Sequence, residues 1–253
     1  MDQFLNTFLN WDYIWQVFPD LLKTGLVNTL ILAITSFVIG TALAVPLAIM
    51  GLSTKRWLRW PARVYTDIFR GLPAILTILV IGQGLGTLAR PIVGTSPYPL
   101  GILALSLIAA AYIGEIFRSG IQSVEKGQLE ASRALGMSYS RAMLLVVIPQ
   151  GVRRVLPALV NQFISVVKDT PLVYFLGFAT DQRELFRIGQ DLTANTGNQS
   201  PLVAAGLVYL VITVPLTHLV NFIDKRLQTG RKVQTAPDDG GEPALVSGGK
   251  VAP

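Results

Sequence analysis

Two charged side chains stand side by side in an otherwise uncharged stretch: Lys168-Asp169 follows Val155–Val167 and precedes Thr170–Thr180. If a helix begins near Val155, Lys168 lies about 20 Å along it, at a rise of roughly 1.5 Å per residue. An ionisable group at that depth in a membrane costs about 2.5–3.5 kcal/mol on insertion scales, so such groups face a bundle interior or a wet cavity. Neighbours on a helix point about 100° apart, so the two need not pair with each other. A cation and an anion at one depth can receive the two ends of a zwitterion, hold a gate, or tie helices together. Asn161, Ser165 and Lys168 share a rough helical face, and Gln162 lies beside it. A polar stripe within an apolar span signals a cavity or an interface. Pro171, after Thr170, predicts a break in the helix, because it removes an N–H and crowds the preceding turn.

Arg70-Gly71-Leu72-Pro73, with Thr77 beyond it, is a second candidate. Gly71 and Pro73 favour an irregular start or a kink. Exposed N–H groups at such a restart can bind the anionic end of a ligand, as in transporters with broken helices; an ordinary proline kink is the alternative. A third candidate is the polar run Gly127–Ser140. Gln128–Leu135 consists of good helix formers, Gly136 suits a left-handed stop, and Ser138 or Ser140 suits the next N-cap. The result is a short helix, a sharp bend and an amphipathic return: either a handle for a partner or a hairpin lying on a membrane. Glu115 sits near the inner end of another apolar stretch, where it snorkels, gates or contacts ligand.

The elements that position these residues are membrane helices. The chain has 253 residues, 51% apolar and 14% charged, against about 25% charged in a typical soluble domain. Thr24–Thr54, Gly71–Ala89, Pro91–Gly114 and Leu192–Ile223 carry no charge over 31, 19, 24 and 32 residues. About 20 apolar residues cross a bilayer as a helix. Nothing alternates as a β-barrel strand would. The expected fold is an all-α polytopic membrane bundle of five transmembrane helices: about 24–50, 71–89, 97–114, Val155–Phe178 and 201–223. A cytoplasmic loop of about 118–150 joins the third and fourth.

Lys and Arg orient the bundle. With the N-terminus outside and the C-terminus inside, sixteen Lys/Arg fall on the cytoplasmic side, four outside, and Lys168 within a span. The formal charge of +6 is therefore mostly topology and not a nucleic-acid footprint. Residues 1–23, rich in Phe and Trp, suit a helix in the outer interface, in contact with membrane lipid. The 24-residue tail from Gly230, with eight Gly/Pro, reads as disordered, leaving 24–229 as the membrane domain.

Glu130-Ala131-Ser132, three residues, Gly136, nine residues, then Val146-Val147-Ile148-Pro149 resembles the coupling-loop motif of ABC importer permeases. Ala111–Gly120, Gly127-Gln128, Phe69–Pro73 and Lys168–Leu172 are similar to the polar amino-acid subfamily. The resemblance covers roughly residues 22–228. It implies a permease that pairs with a second permease subunit, is driven by a dimer of cytoplasmic ATPases, and takes substrate from an extracytoplasmic amino-acid-binding protein in the cytoplasmic membrane.

The chain has no cofactor of its own in this reading. It lacks a G-x-x-x-x-G-K-[ST] loop, so ATP and Mg would belong to the partner ATPase. Gln128, Glu130, Ala131, Arg133, Ala134, Gly136 and Met137 would seat in a groove of that partner, although Glu130 can equally just cap or solvate its helix. The substrate pathway would run past Arg70, Gly71, Leu72, Pro73, Thr77, Glu115, Asn161, Gln162, Ser165, Lys168, Asp169 and Thr170. Leu72 and Thr77 depart from the family's usual Thr and Gln, which weakens any carry-over of contacts there. Amides near Lys168, in place of a second carboxylate, favour a neutral or acidic substrate of the glutamine or glutamate kind. Single-residue His218 implies a helix–helix hydrogen bond and no metal site. An ion-coupled carrier acting without an ATPase is the competing function.

Overall fold

The computed structural model describes residues 1–94, 96–177 and 180–229, and every regular element among them is helical. The chain begins with α1 (Asp2–Phe8) and α2 (Trp11–Asp20). A widened turn at Leu21–Gly25 then leads without interruption into α3 (Leu26–Leu52). After α4 (Arg56–Gly71) come α5 (Ala74–Leu79), a widened turn at Val80–Gly84 and α6 (Gly86–Val93). α7 (Tyr98–Gln122) is followed by α8 (Lys126–Ala134) and α9 (Tyr139–Ala142). α10 (Ile148–Asp169) tightens into a 3₁₀ turn at Thr170–Leu176. α11 (Leu185–Thr196) and α12 (Ser200–Thr229) complete the chain.

Among the described residues four helical runs are long and apolar enough to cross a membrane: Asp2–Leu52, Tyr98–Gln122, Tyr139–Leu176 and Ser200–Leu227. The pair Arg56–Gly71 and Ala74–Gly84, bent by 105°, passes the same test together and makes a fifth if it is one broken span and not a re-entrant loop. The fold is thus the expected polytopic all-α bundle. The second crossing differs in detail from the expected 71–89. It starts at Arg56, so Gly71-Leu72-Pro73 lies within it and not at its beginning. The amphipathic α4 carries Arg59, Arg63, Asp67 and Arg70, and these charges hid it from a search for uncharged runs. Within the segment 118–150, expected as the coupling loop, α7 runs on to Gln122 and is followed by α8, the bend at Gly136 and α9. The tail from Gly230 lies outside the described residues, as does Phe178 at the expected end of the fourth span.

Small residues set the closest packing. Ser36, Gly40 and Ala44 recur every fourth position on α3, all buried, opposite Ser106, Ala109 and Ala110 of α7. A Cβ on Gly40 would lie 2.8 Å from the Ala109 Cβ and 3.0 Å from the Ser106 carbonyl, so the backbones nearly touch. Membrane helices associate through such stripes because lipid gives no hydrophobic drive between them. α7 meets α10 in the same way, where a Cβ on Gly151 would lie 2.9 Å from the Ile121 Cα. On the other flank Ile14, Val17 and Leu21 bury against Leu185, Ile188, Ala204, Ala205 and Val208. The N-terminal helices therefore pack on α11 and α12. The Gln199 and Asn198 amides reach back to the Thr7 and Asn6 carbonyls at 2.8 and 2.7 Å.

Candidate functional site

The break between α4 and α5 is built by Pro73. A residue before proline is pushed out of the helical region, and Leu72 is extended at φ −83°, ψ 139°. Its N–H closes α4 on the Ile68 carbonyl at 3.0 Å, while the Pro73 carbonyl accepts from Leu76 and Thr77 at 3.0 and 3.2 Å to start α5. The elbow leaves a cavity of about 310 Å³. Phe69, Leu72 and Ala74 line it from the elbow, Ile108 and Tyr112 from α7, and Gln162, Ser165 and Asp169 from α10. Asp169 is the one charged residue in that lining, half-buried and with neither hydrogen bond nor ion pair among the described residues.

Sequence candidates from two distant segments thus meet: Leu72, Gln162, Ser165 and Asp169. Others do not. Lys168 is exposed, outside this lining, and makes no salt bridge with Asp169. Asn161, Ser165 and Lys168 form the expected stripe and are all exposed; the Ser165 hydroxyl donates to the Asn161 carbonyl at 3.2 Å. Gly71 and Pro73 are exposed at the elbow without lining the cavity. Thr77 is buried outside the lining, and its hydroxyl has no partner among the described residues. Arg70 lies behind the cavity wall, its guanidinium 5.5 Å from the centre of the Tyr112 ring, a cation–π geometry.

Glu115 sits apart from Asp169. It pairs with Arg118, one turn on, through both carboxylate oxygens, with Arg118 Nε donating at 2.9 Å; Arg118 Nη1 donates to the Gln122 amide oxygen at 2.7 Å. This pair and Arg70 line a second cavity, also of about 310 Å³, between α3, α4 and α7.

Thr170 turns into packing and is fully buried. Its hydroxyl donates to the Val167 carbonyl at 2.8 Å and lies 3.1 Å from the Tyr209 hydroxyl. Tyr209 donates in turn to Glu184 at 2.9 Å. Glu184 is fully buried and caps α11, accepting from the Phe186 and Arg187 amides at 2.6 Å each. Burial pushes its carboxyl up to about 7 against the opposing pull of those amides and of Tyr209. Sequence reading missed both Glu184 and Tyr112. The only local signal for Glu184 was an acceptor directly before the apolar start of α11, a position usually held by Ser, Thr, Asp or Asn.

The coupling segment takes the expected shape. Gly136 has φ +85°. The Met137 amide donates to the Ser132 carbonyl at 3.2 Å and the Gly136 amide to the Arg133 carbonyl at 3.0 Å. That paired closure is the Schellman motif, which needs a residue tolerant of the left-handed region. Ser138 caps α9 by accepting from the Arg141 amide. Ser132 is buried against the body of the protein, whereas Gln128, Glu130, Ala131, Arg133 and Ala134 are exposed, and Met137 is half-buried. Leu135, not singled out in the sequence, is an apolar knob 85% exposed beside Gly136. His218 is exposed without a partner among the described residues, so the expected helix–helix bond does not form within this chain.

A family model described as "Binding-protein-dependent transport system inner membrane component" matches residues 40–229. The arginine transport system permease protein ArtQ of Bacillus subtilis is 34% identical over 205 residues, spanning 81% of this chain and 91% of its own length. The glutamate/aspartate import permease protein GltK of Escherichia coli is 34% identical over 223 residues, 86% of this chain and 97% of its own. Among solved structures, an amino acid ABC transporter crystallised with histidines superposes with a TM-score of 0.72 at 30% identity, covering 83% of this chain and 95% of that one.

Proposed function

The chain belongs to the family of binding-protein-dependent transport system inner membrane components, and on that premise we propose that it passes a zwitterionic amino acid with a neutral or acidic polar side chain through the cavity at the α4–α5 elbow. The observation that carries this reading is Asp169, a half-buried carboxylate without a partner among the described residues, on the wall of a cavity inside a membrane bundle. A substrate ammonium placed there satisfies it by a charge-assisted hydrogen bond. Gln162 and Ser165 offer donors and acceptors to a side-chain amide or carboxylate. The lining has no second carboxylate to neutralise a cationic side chain, which favours a glutamine-like or glutamate-like substrate.

The chain is a transport subunit, and hydrolysis of ATP belongs to a separate ATPase. A dimer of that ATPase grips the exposed face of α8, with Glu130 and Arg133 making charged hydrogen bonds and Leu135 filling an apolar hollow. The exposed stripe Asn161–Ser165–Lys168 supports a second permease subunit, since three polar residues on one face of a membrane helix are costly against lipid. Alternating access then occurs between the two permeases, with ATP-driven closure transmitted through the coupling segments. An extracytoplasmic binding protein delivers substrate on the side of the N-terminus, opposite the C-terminus. Lys168, exposed towards the second subunit, gates and does not bind.

The test is ATPase stimulation of the complex, reconstituted with its binding protein, by L-glutamine, L-glutamate and L-arginine. Stimulation by glutamine or glutamate is expected. Stimulation by arginine alone would refute the substrate assignment.

A further inference from the structure

The second cavity lies one helical turn from the first. Tyr112 lines the elbow cavity, while Gly114, Glu115 and Arg118 of the same helix line the other. Three residues of helix separate Tyr112 from Glu115, about 4.5 Å at 1.5 Å per residue. The wall between them is the Tyr112 ring with the Arg70 guanidinium against it at 5.5 Å. Arg70 itself lines the second cavity, which is bounded at its far side by Leu47 and Gly51 near the C-terminal end of α3.

The charges in this second cavity are arranged unusually. Arg63, Asp67 and Arg70 fall at positions i, i+4 and i+7 of α4, on one face. Arg63 and Asp67 have the spacing of a helix salt bridge, yet neither makes a salt bridge or hydrogen bond among the described residues. Across the cavity Glu115 pairs with Arg118, and Arg70 and Arg63 act on the same carboxylate through space. Arg63 and Asp67, one turn apart and exposed, are left without an ion-pair partner among the described residues, with Arg70, also exposed, beside them. A site for phosphate would not present the Asp67 carboxylate. A zwitterion matches both signs.

We propose that this cavity is an inner station for the transported amino acid, where Arg63 and Arg70 receive its carboxylate and Asp67 its ammonium after it has passed the Tyr112–Arg70 wall. The proposal rests on the elbow cavity being the substrate site. Each station offers a carboxylate to the ammonium, Asp169 at the elbow and Asp67 at the inner one, and the inner station adds the cations that the elbow lacks. Displacement of the Tyr112 ring is the step that separates the two stations.

The test is equilibrium dialysis of the nucleotide-free permease–ATPase complex in lipid nanodiscs against radiolabelled L-glutamine, with L-glutamate and L-arginine in parallel. The wild type should bind two amino acids per permease chain. Arg63→Gln/Asp67→Asn should bind one, and Asp169→Asn should bind one by losing the other. Arg63→Lys/Asp67→Glu, which preserves both charges, should keep two. A wild-type stoichiometry of one, lost in Asp169→Asn, overturns the inner station and leaves the elbow site standing. No binding of any probe overturns both. If the double variant does not assemble, the wild-type stoichiometry alone decides.

Discussion

Replacing Glu184 by glutamine should remove a pH dependence from the stability of this protein. Glu184 is fully buried, and its carboxyl titrates near 7 in the fold against an ordinary value of 4.5. The folded state therefore holds a proton between those values that the unfolded chain has released. Stability from this group is fully present below about pH 4.5 and is lost as the pH rises through about 7. With about 1.4 kcal/mol per unit, acidification from pH 8 to pH 5 should stabilise the wild type by roughly 2–3 kcal/mol relative to Glu184→Gln. For a chain of this size that is a relative shift of about 5–10 °C in unfolding midpoint. The assay is intrinsic-fluorescence unfolding of both proteins in one detergent at pH 5, 6, 7 and 8. Taking the difference between them cancels every other titrating group. Parallel curves, or a wild type that weakens relative to the variant on acidification, would refute the argument. Such a result would mean that the Phe186 and Arg187 amides hold the carboxylate ionised despite burial.

Three further outcomes follow from the geometry. Asp169→Asn removes the charge that meets the substrate ammonium, a loss of about 1.5–3 kcal/mol, so proteoliposome uptake of glutamine should fall about tenfold to a hundredfold while basal ATPase activity is unchanged. Gly136→Pro cannot adopt φ +85° and loses the amide bond to Arg133, and Glu130→Arg inverts a contact charge; both should insert normally and hydrolyse ATP without matching uptake, and normal coupling ratios in both would sink the role given to this segment. Gly40→Leu overpacks the α3–α7 contact at the expense of about 1–3 kcal/mol, readable as a lower unfolding midpoint with the helical signal intact.

The parts of the fold that were legible in sequence are those fixed by local chemistry. Pro73 sets the elbow, Gly136 and Ser138 set the coupling bend, and Pro171 converts the end of α10 to a tighter turn. Long uncharged runs located three of the crossings. α4 was hidden because a helix can enter a membrane protein with its charged face turned to a cavity, and an uncharged-run search cannot see that. The convergence of Leu72 with Gln162, Ser165 and Asp169 was only half visible, since each motif marked a polar place in a span but nothing local said which would meet. Glu115, expected near the inner end of its span to snorkel, gate or contact ligand, pairs with Arg118 and lines the second cavity. Glu184 was invisible for a different reason. It stands at the start of α11 in a charged stretch with Asp181, Arg183 and Arg187, and burial of one of those four is tied to Tyr209, 25 residues away.

The backbone contact between α3 and α7 has a mechanical consequence. Where Gly40 meets Ala109 there are no side chains to change rotamer, so the two helices have no means of sliding by small repacking steps. They form the stator of the molecule. If the proposed cycle of opening and closing occurs, it is taken up around them, by the elbow at Leu72-Pro73 and by α10, which follows the α8–α9 arm. Hydrogen exchange during turnover should then divide the chain into a silent pair and moving parts, with the boundary running along the surface of α7.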